Sequence, residues 1–513
     1  MRFLLLLVNF SLCVTAFSQQ VNERNLFQYD QVKEDYLKGS TQHTALKKSY
    51  SDSISGYSLF SSDKKKTQLS INPLVDFSIA SQESTSGQFK GLGAGAALRF
   101  NHKKWNAGIS YLVNHQQYIG YQDRYIEKNK VVPGMGVSTG IYNDYTRNSY
   151  TSGFLNFRAN KYFNFEAGFG RNFIGDGYRS LLLADAASAF PYVKIQTKFW
   201  NIEYTTIFSS HRNIFQVEGR KDLYQKKYNA THYLDWRATK WLSIGLFETV
   251  IWGSEEGNYT RGFDVNYANP FIFYRPVEFS VGSSDNVLVG ANLKLTISKT
   301  HVFYSQLLFD EFLLAELRAD VDQWRNPNDS IRSGWWANKY GIQIGWTSFE
   351  LFKVKGLQTR VEFNLVRPYT YAHSNSTQAY SHDNLSLAHP LGANFYEFVS
   401  RANYEVGRWN FAVNYHQNAQ GRSNFGENFG ENLQFSNSSR GAERDFENEL
   451  AQGQQVVVKY LEGTVSYLLY EKTNTTLALS HISRQQNIET VNSSTNFFML
   501  RLHSNFFNKY FDY

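Results

Sequence analysis

Apolar and polar residues alternate one by one through many short stretches of this chain. Val287, Val289, Ala291, Leu293, Leu295 and Ile297 share one parity, and Gly290, Asn292, Lys294 and Thr296 the other. The same pattern sets Val361, Phe363 and Leu365 against Arg360, Glu362 and Asn364, and Phe163, Phe165, Ala167 and Phe169 against Asn164 and Glu166. It recurs where Val193, Ile195 and Phe199 alternate with Lys194, Gln196 and Lys198. Successive side chains of a strand point to opposite faces, so this period of two predicts strands with one apolar and one polar face. Applied to the whole chain it predicts strands near 68–80, 89–100, 104–113, 154–160, 162–170, 192–199, 201–208, 231–238 and 241–251. A second set follows near 286–297, 300–308, 338–347, 357–366, 395–405, 409–415, 455–469, 474–482 and 496–506, about eighteen in all.

The links between these strands differ systematically in length. Those after the second, fourth, sixth, eighth and tenth strands are short: Asn101 to Lys103, Lys161, Trp200, Thr239-Lys240 and Ser298-Lys299. Links after odd-numbered strands tend to be long. After the first residues of the chain there is no apolar run near the ~20 residues that a helix needs to cross a bilayer. An even strand number, one lipid-compatible face, and short turns alternating with long loops together predict an all-β fold, a transmembrane outer-membrane barrel of antiparallel strands. A soluble sandwich would alternate too, but would have to bury one face of every strand in a single core. The barrel is expected over 67–513, with the short turns and both ends in the periplasm and the long loops at the cell exterior.

The N-terminus fits export. Met1-Arg2, the apolar run Phe3 to Val8, and Ala16-Phe17-Ser18 ahead of Gln19 have the layout of a secretory signal peptide over 1–18. The one cysteine, Cys13, lies within it and follows Leu12 rather than the small residue of a lipobox, so disulfide and thiolate chemistry are excluded from the mature protein. Residues 19–66 are expected to form a short periplasmic region, with Phe27, Val32 and Tyr36 as an apolar stripe on short helices and Lys64-Lys65-Lys66 as its solvated boundary. Composition agrees with the barrel: 17% of residues are aromatic, 34 of them tyrosines, as interfacial girdles require. A net charge of +7 suits anionic lipid or an acidic polymer without choosing between them.

Several motifs invite chemistry. Gly170-Arg171-Asn172-Phe173-Ile174-Gly175 has the glycine spacing of a phosphate loop, but Asp176 and Gly177 stand where Lys and Ser or Thr are needed, and a carboxylate would repel phosphate. A dinucleotide fingerprint fails as well, since Phe173 occupies the place of the third glycine after Gly168 and Gly170. Asp176 and Asp185 are expected to pair with Arg171 and Arg179 inside this loop. His373, His382 and His389 do not have a metal-ligand spacing. The carboxylates between Gly421 and Asn448 lack the ordered ligand spacing of a calcium loop. No spacing marks a catalytic triad; the protein is expected to be no enzyme and to carry neither cofactor nor metal, and nothing points to nucleic acid.

Two blocks carry a family resemblance. Gly170-Arg171, Gly175, Gly177, Leu181-Leu182-Leu183 and Ala186 ahead of Pro191 resemble the most distinctive block of the capsule assembly protein Wzi family and of the gliding-motility RemB proteins. Tyr371-Ala372-His373, Tyr380, His382, His389 and Pro390-Leu391-Gly392 are similar to a second block of that family. Weaker likenesses lie at Asn338-Lys339-Tyr340-Gly341, in the segment from Asn269-Pro270 to Arg275-Pro276, and at His43-Thr44-Ala45-Leu46. The chain departs from the family where Ile174-Gly175-Asp176-Gly177 replaces Trp-Gly-Pro-Gly. The resemblance implies an eighteen-stranded outer-membrane barrel with a periplasmic N-terminal helical region.

By strand parity the blocks at 170–191, 269–276 and 371–392 share the exterior side. Polar side chains beside aromatic faces suit a sugar, whose hydroxyls take hydrogen bonds and whose C–H faces take a ring. The candidate polysaccharide-binding or loop-shaping residues are therefore Arg171, Gly175, Asp176, Gly177, Arg179, Asp185, Asn269, Tyr274, Arg275, His373, Tyr380, His382 and His389. The expected function is to bind or organise exopolysaccharide at the surface of a Gram-negative cell, in capsule assembly or gliding. A porin-like solute channel is the alternative and an outer-membrane hydrolase the third reading. Expected partners are surface polysaccharide, lipopolysaccharide and other outer-membrane lipid, the barrel-assembly machinery and gliding-motility surface components.

Overall fold

A computed structural model describes residues 43–47, 60–64, 67–83, 87–138, 140–142, 145–217, 219–256, 259–269, 285–311, 313–326, 332–441, 444–489, 491–504 and 510–513. The expected signal peptide and the stripe at Phe27, Val32 and Tyr36 lie outside them.

Eighteen antiparallel strands form the wall. They are β1 (Thr67–Gln82), β2 (Gln88–His102), β3 (Trp105–Gln116), β4 (Tyr145–Arg158), β5 (Phe163–Gly170), β6 (Phe190–Phe199), β7 (Ile202–Asn213), β8 (Gln225–Trp236) and β9 (Leu242–Gly253). The circuit continues through β10 (Asn286–Thr296), β11 (His301–Glu311), β12 (Lys339–Phe349), β13 (Leu357–Val366), β14 (Phe395–Val406), β15 (Trp409–Arg422), β16 (Gln454–Tyr470), β17 (Thr475–Ile488) and β18 (Val491–Ser504). Each strand pairs with the next, and β18 returns to β1 with Phe497 opposite Gln82 and Ser504 opposite Val75. Closure leaves no sheet edge in the bilayer, where an unpaired backbone group has no water to bond. No helix among the described residues is long and apolar enough to cross a membrane.

The period-two pattern sorts the two faces as expected. Phe77 and Ile79 project outward, 45% and 49% exposed, whereas Asn72, Asp76 and Ser78 on the other parity are buried in the lumen. Leu293 points out while Asn292 and Lys294 point in. The eight turns after even-numbered strands span two to seven residues, from Lys103-Lys104 to the seven-residue link after Phe349, and all lie at one end. Short turns mark the periplasmic end of such barrels.

The sequence pattern underestimates the outer ends of several strands. β7 runs to Asn213 rather than 208, β8 begins at Gln225 rather than 231, β15 reaches Arg422 rather than 415, and β17 reaches Ile488 rather than 482. The added segments, such as Ser209-Ser210-His211-Arg212 and Gln225-Lys226-Lys227, are polar on both parities. They stand above the lipid, where no apolar face is needed and alternation disappears. Two helices in the long loops were also not expected: α1 (Gly120–Asn129), which buries Tyr121 and Ile126, and α2 (Leu314–Arg325).

Two described pieces of the expected 19–66 region pair with later parts of the chain, one of them in the barrel sheet. Phe60–Lys64 forms a strand against Thr67–Ile71 of β1, extending the seam beyond the point where β18 stops opposite Val75. Without it the start of β1 would present an open edge. Leu46-Lys47 pairs with Ile174-Phe173 inside the lumen.

Single cysteines test this topology directly. Lys221→Cys and Phe425→Cys, both at exposed loop positions, are expected to react with an impermeant maleimide on intact cells. Lys240→Cys, in the turn between β8 and β9, should react only after the outer membrane is permeabilised; labelling of Lys240→Cys on intact cells would invert every loop.

Candidate functional site

The loop from 171 to 189, between β5 and β6, does not cover the barrel mouth as a free lid. It descends into the lumen and is almost wholly buried: Arg171, Asp176, Arg179 and Leu181 to Leu183 are all under 5% exposed. Inward-facing wall residues hold its backbone. Glu362 of β13 accepts from the amides of Tyr178 (2.8 Å) and Arg179 (3.1 Å), Gln306 of β11 accepts from Leu181 N (2.8 Å), and Gln343 of β12 donates to the Arg179 carbonyl (3.1 Å). Gly175 sits at φ +150°, a region that disfavours side chains, and a Cβ there would meet Gln306 at 2.5 Å. At Gly177 the reason is contact: a Cβ would lie 2.6 Å from both the Arg179 carbonyl and Glu362. The glycines thus let the loop press against the wall.

Arg179 is the main electrostatic anchor. Its guanidinium forks onto Glu397 of β14, Nη2 to Oε1 at 3.0 Å and Nε to Oε2 at 3.3 Å, and reaches Asp512 at 3.3 Å. Glu397 also contacts His389 Nε2 at 2.7 Å and accepts from Asn364 at 3.1 Å. Asp512 belongs to residues 510–513, a segment that enters the lumen. The Tyr178 hydroxyl donates to Asp512, and the Tyr510 hydroxyl to Asp185. The two carboxylates hold the Arg179 guanidinium above its usual pKa against the opposing effect of burial, which is the largest single influence on it.

The expected pairing within the loop survives only between Arg171 and Asp185; Arg179 and Asp176 take partners elsewhere. Arg171 donates to the backbone carbonyl of Asp185 at 2.7 Å and lies 5.4 Å from the Tyr150 ring centre. Asp176 accepts from Thr44 (2.5 Å) and from Asn292 (2.9 Å), and Lys294 donates to the same Thr44 hydroxyl at 2.5 Å. Partners come from the wall, the N-terminal segment and residues 510–513, because an arginine in a closed lumen can reach carboxylates on every side.

The second block, 367–394 between β13 and β14, packs directly on the first. Tyr371 and Tyr380 donate their hydroxyls to the carbonyls of Leu181 and Leu182, each at 2.8 Å, and Ala184 N donates to the Leu387 carbonyl at 2.7 Å. Leu181 to Leu183, Ile174, Tyr371, Tyr380, Leu385 and Leu387 form one apolar core inside the barrel. Three wall contacts fix its rim: Arg212 of β7 forks onto Asp383 (3.0 and 2.5 Å) and Lys227 of β8 donates to the Ala379 carbonyl (2.7 Å). His382 Nδ1 accepts from Arg212 N at 3.1 Å, and His373 Nδ1 accepts from Asn375 N at 3.2 Å.

The structure therefore brings together Arg171, Gly175, Asp176, Gly177, Arg179, Asp185, His373, Tyr380, His382 and His389 as one plug. Asn269 ends a 3₁₀ turn, Val265–Ala268, whose Tyr267 joins a separate cluster with Trp252 and Val287. Tyr274 and Arg275 lie outside the described residues. Among the described residues no three or more His, Cys, Asp or Glu side chains converge as a metal site. Sequence reasoning missed the wall partners Glu362, Glu397, Gln306 and Gln343, although Glu362 already stood on the polar parity of its strand. It also missed residues 510–513, for which no signal was present.

A closed, plugged barrel with periplasmic turns of this kind places the chain among outer-membrane β-barrels. In fold it resembles Wzi of Escherichia coli, described as an outer membrane protein involved in group 1 capsule assembly and a carbohydrate-binding β-barrel: 12% identity, TM-score 0.51, covering 85% of this chain and 84% of that one. Two Pseudomonas aeruginosa barrels align less well, OprD (9% identity, TM-score 0.43, 85% and 94% covered) and OpdK with vanillate (8%, 0.45, 85% and 98%). No family model and no curated protein sequence matches the chain.

Replacing Arg179 with Ala leaves Glu397 and Asp512 buried without their cation, and breaking a buried pair from one side costs about 3–5 kcal/mol. Arg179→Ala is expected to lower the thermal midpoint of the purified barrel markedly; an unchanged midpoint would show that the loop is not anchored there. A second expectation concerns acid. Burial, the largest cause in each case, holds His373, His382 and His389 below the ordinary value of 6.5. The unfolded chain then binds more protons, so their contribution to stability is present above about pH 6.5 and falls as pH drops through the range below it. Thermal unfolding at pH 7.5 and 5.0 should show the loss, and His382→Asn should reduce its size.

Proposed function

We propose that this protein is a non-enzymatic outer-membrane barrel that binds polysaccharide at the cell surface. The observation that carries the reading is the plug. An open eighteen-strand barrel encloses a channel too wide for wall side chains to fill, yet here two loops occupy it with a shared apolar core and charge-assisted anchors. That arrangement suits a scaffold for an external binding face better than a conduit for solutes. The fold likeness to Wzi, named as carbohydrate binding, supports the same reading, as do the Tyr, Asn and Arg side chains of the outer loops. Retention of polysaccharide in capsule assembly or in gliding motility, as for RemB proteins, is the proposed physiological output.

One observation favours a porin-like second reading. Two cavities lie in series along the same inward rows of β15 to β17: Asn418, Val458 and Arg484 line the outer one, and Asn414, Tyr460 and Ile482 the inner one, with Phe511 lining both. A hydrolase has less support. The Ser209 hydroxyl lies 2.9 Å from His211 Nε2, but among the described residues His211 Nδ1 has no hydrogen-bond partner, so none of their acids orients the ring as a base.

Planar-bilayer recording and glycan binding on the same preparation separate the readings. The expected result is conductance far below that of an open barrel together with polysaccharide binding. Large, steady conductance without glycan binding would overturn the proposal in favour of the channel.

A further inference from the structure

The outer cavity has a composition that the two sequence blocks do not explain. It has a volume of about 340 Å³, at the lower end of the ~300–1,000 Å³ typical of small-ligand sites. Four cations line it: Arg124 and Lys128 from α1, Arg422 at the outer end of β15, and Arg484 on β17. Among the described lining residues the one acidic side chain is Glu431; Ser423 donates to it from its amide and hydroxyl at 2.9 and 2.7 Å, and it lies close enough to Lys128 and Arg422 to act on their charge. Tyr121 and Tyr125 add aromatic surface, and the Arg484 guanidinium lies 4.5 Å from the Tyr121 ring centre.

Buried polar atoms without partners lie in the same lining. Asn418 Nδ2, Gln434 Oε1 and Arg484 Nε belong to residues at most 7% exposed, and none of these atoms has a hydrogen-bond partner among the described residues. Leaving such groups unpaired in a buried site is costly, and a bound molecule that satisfies them recovers that loss. The required ligand offers hydroxyls to amides, a C–H face to tyrosine, and an anionic group to guanidinium. We infer that this cavity binds a carboxylated sugar unit, a uronate residue of an acidic polysaccharide. The carboxylate lies between Arg422 and Lys128, where a planar fork can take it in two hydrogen bonds. Asn418 and Gln434 take ring hydroxyls. This inference rests on the saccharide-binding reading above and adds the ligand class and the place.

The test uses the full-length barrel in an uncharged detergent, with trigalacturonate and maltotriose as probes in isothermal titration. Trigalacturonate is expected to bind at least about tenfold more tightly than maltotriose, the difference expected of charge-assisted hydrogen bonds. The double variant R422Q/K128Q should lose about tenfold in trigalacturonate affinity with maltotriose unchanged, while Glu431→Gln should tighten trigalacturonate. Lys128 is exposed on α1, so K128Q alone keeps the test available if the double variant does not fold. Equal binding of both probes, indifferent to these substitutions, would overturn the uronate assignment and leave saccharide binding standing. Binding of neither probe, with large conductance, would overturn both.

Discussion

A lumen bounded by eighteen strands must be filled by something, and in this chain the filling is held by charge. Arg179 descends from an outer loop and is gripped by Glu397 of the wall and Asp512 of the entering segment. Burying one guanidinium and two carboxylates is unfavourable unless each finds its partners. His389 and Asn364 on Glu397, and Tyr178 on Asp512, supply those partners. The consequence is specificity of placement. Arg179 satisfies both acids only when the loop lies at one depth, and that depth in turn sets where Leu181 to Leu183 meet Tyr371 and Tyr380.

This coupling explains why the two sequence blocks, nearly 200 positions apart, look like a single unit. Beyond the apolar core, their hydrogen bonds are mostly backbone to side chain, with tyrosine hydroxyls donating to leucine carbonyls. The plug has only two-residue ladders, such as Leu46-Lys47 against Ile174-Phe173, so wall and loop side chains must satisfy much of its main chain. Glu362, Gln306 and Gln343 each bond to that backbone. The polar parity of the strands is therefore a socket as well as a wet face.

The wall was legible in the sequence because lipid imposes one rule on every strand, and Phe163, Phe165 and Phe169 obey it without exception. The rule stops where lipid stops, which is why the extensions at Ser209 to Asn213 and Gln225 to Lys227 were missed. The blocks at 170–191 and 371–392 were recognised as unusual, but their role was not. Alternation reports which face a side chain takes and carries no information about a loop that turns back into the interior. Asp176 and Asp185 next to Arg171 and Arg179 in sequence suggested local pairing, whereas the lumen offered partners from β10, the segment at Thr44 and residues 510–513. No composition or spacing marks a partner that arrives from another part of the chain.

The burial of those motifs shifts where recognition can occur. His389, Tyr380 and Arg179 are among the most buried side chains in the molecule, and all their polar atoms that matter to the plug are engaged within it. Side chains this deep are spent on holding the plug to the wall. Three of the buried groups with an unpartnered polar atom, Asn418, Gln434 and Arg484, line the outer cavity, belong to no recognisable motif and are scattered over two strands and a loop. They converge only because the plug beneath them is fixed and α1 is packed beside them. A distinctive sequence block can thus specify a scaffold, while the cavity beside it is lined by ordinary residues that only the fold assembles.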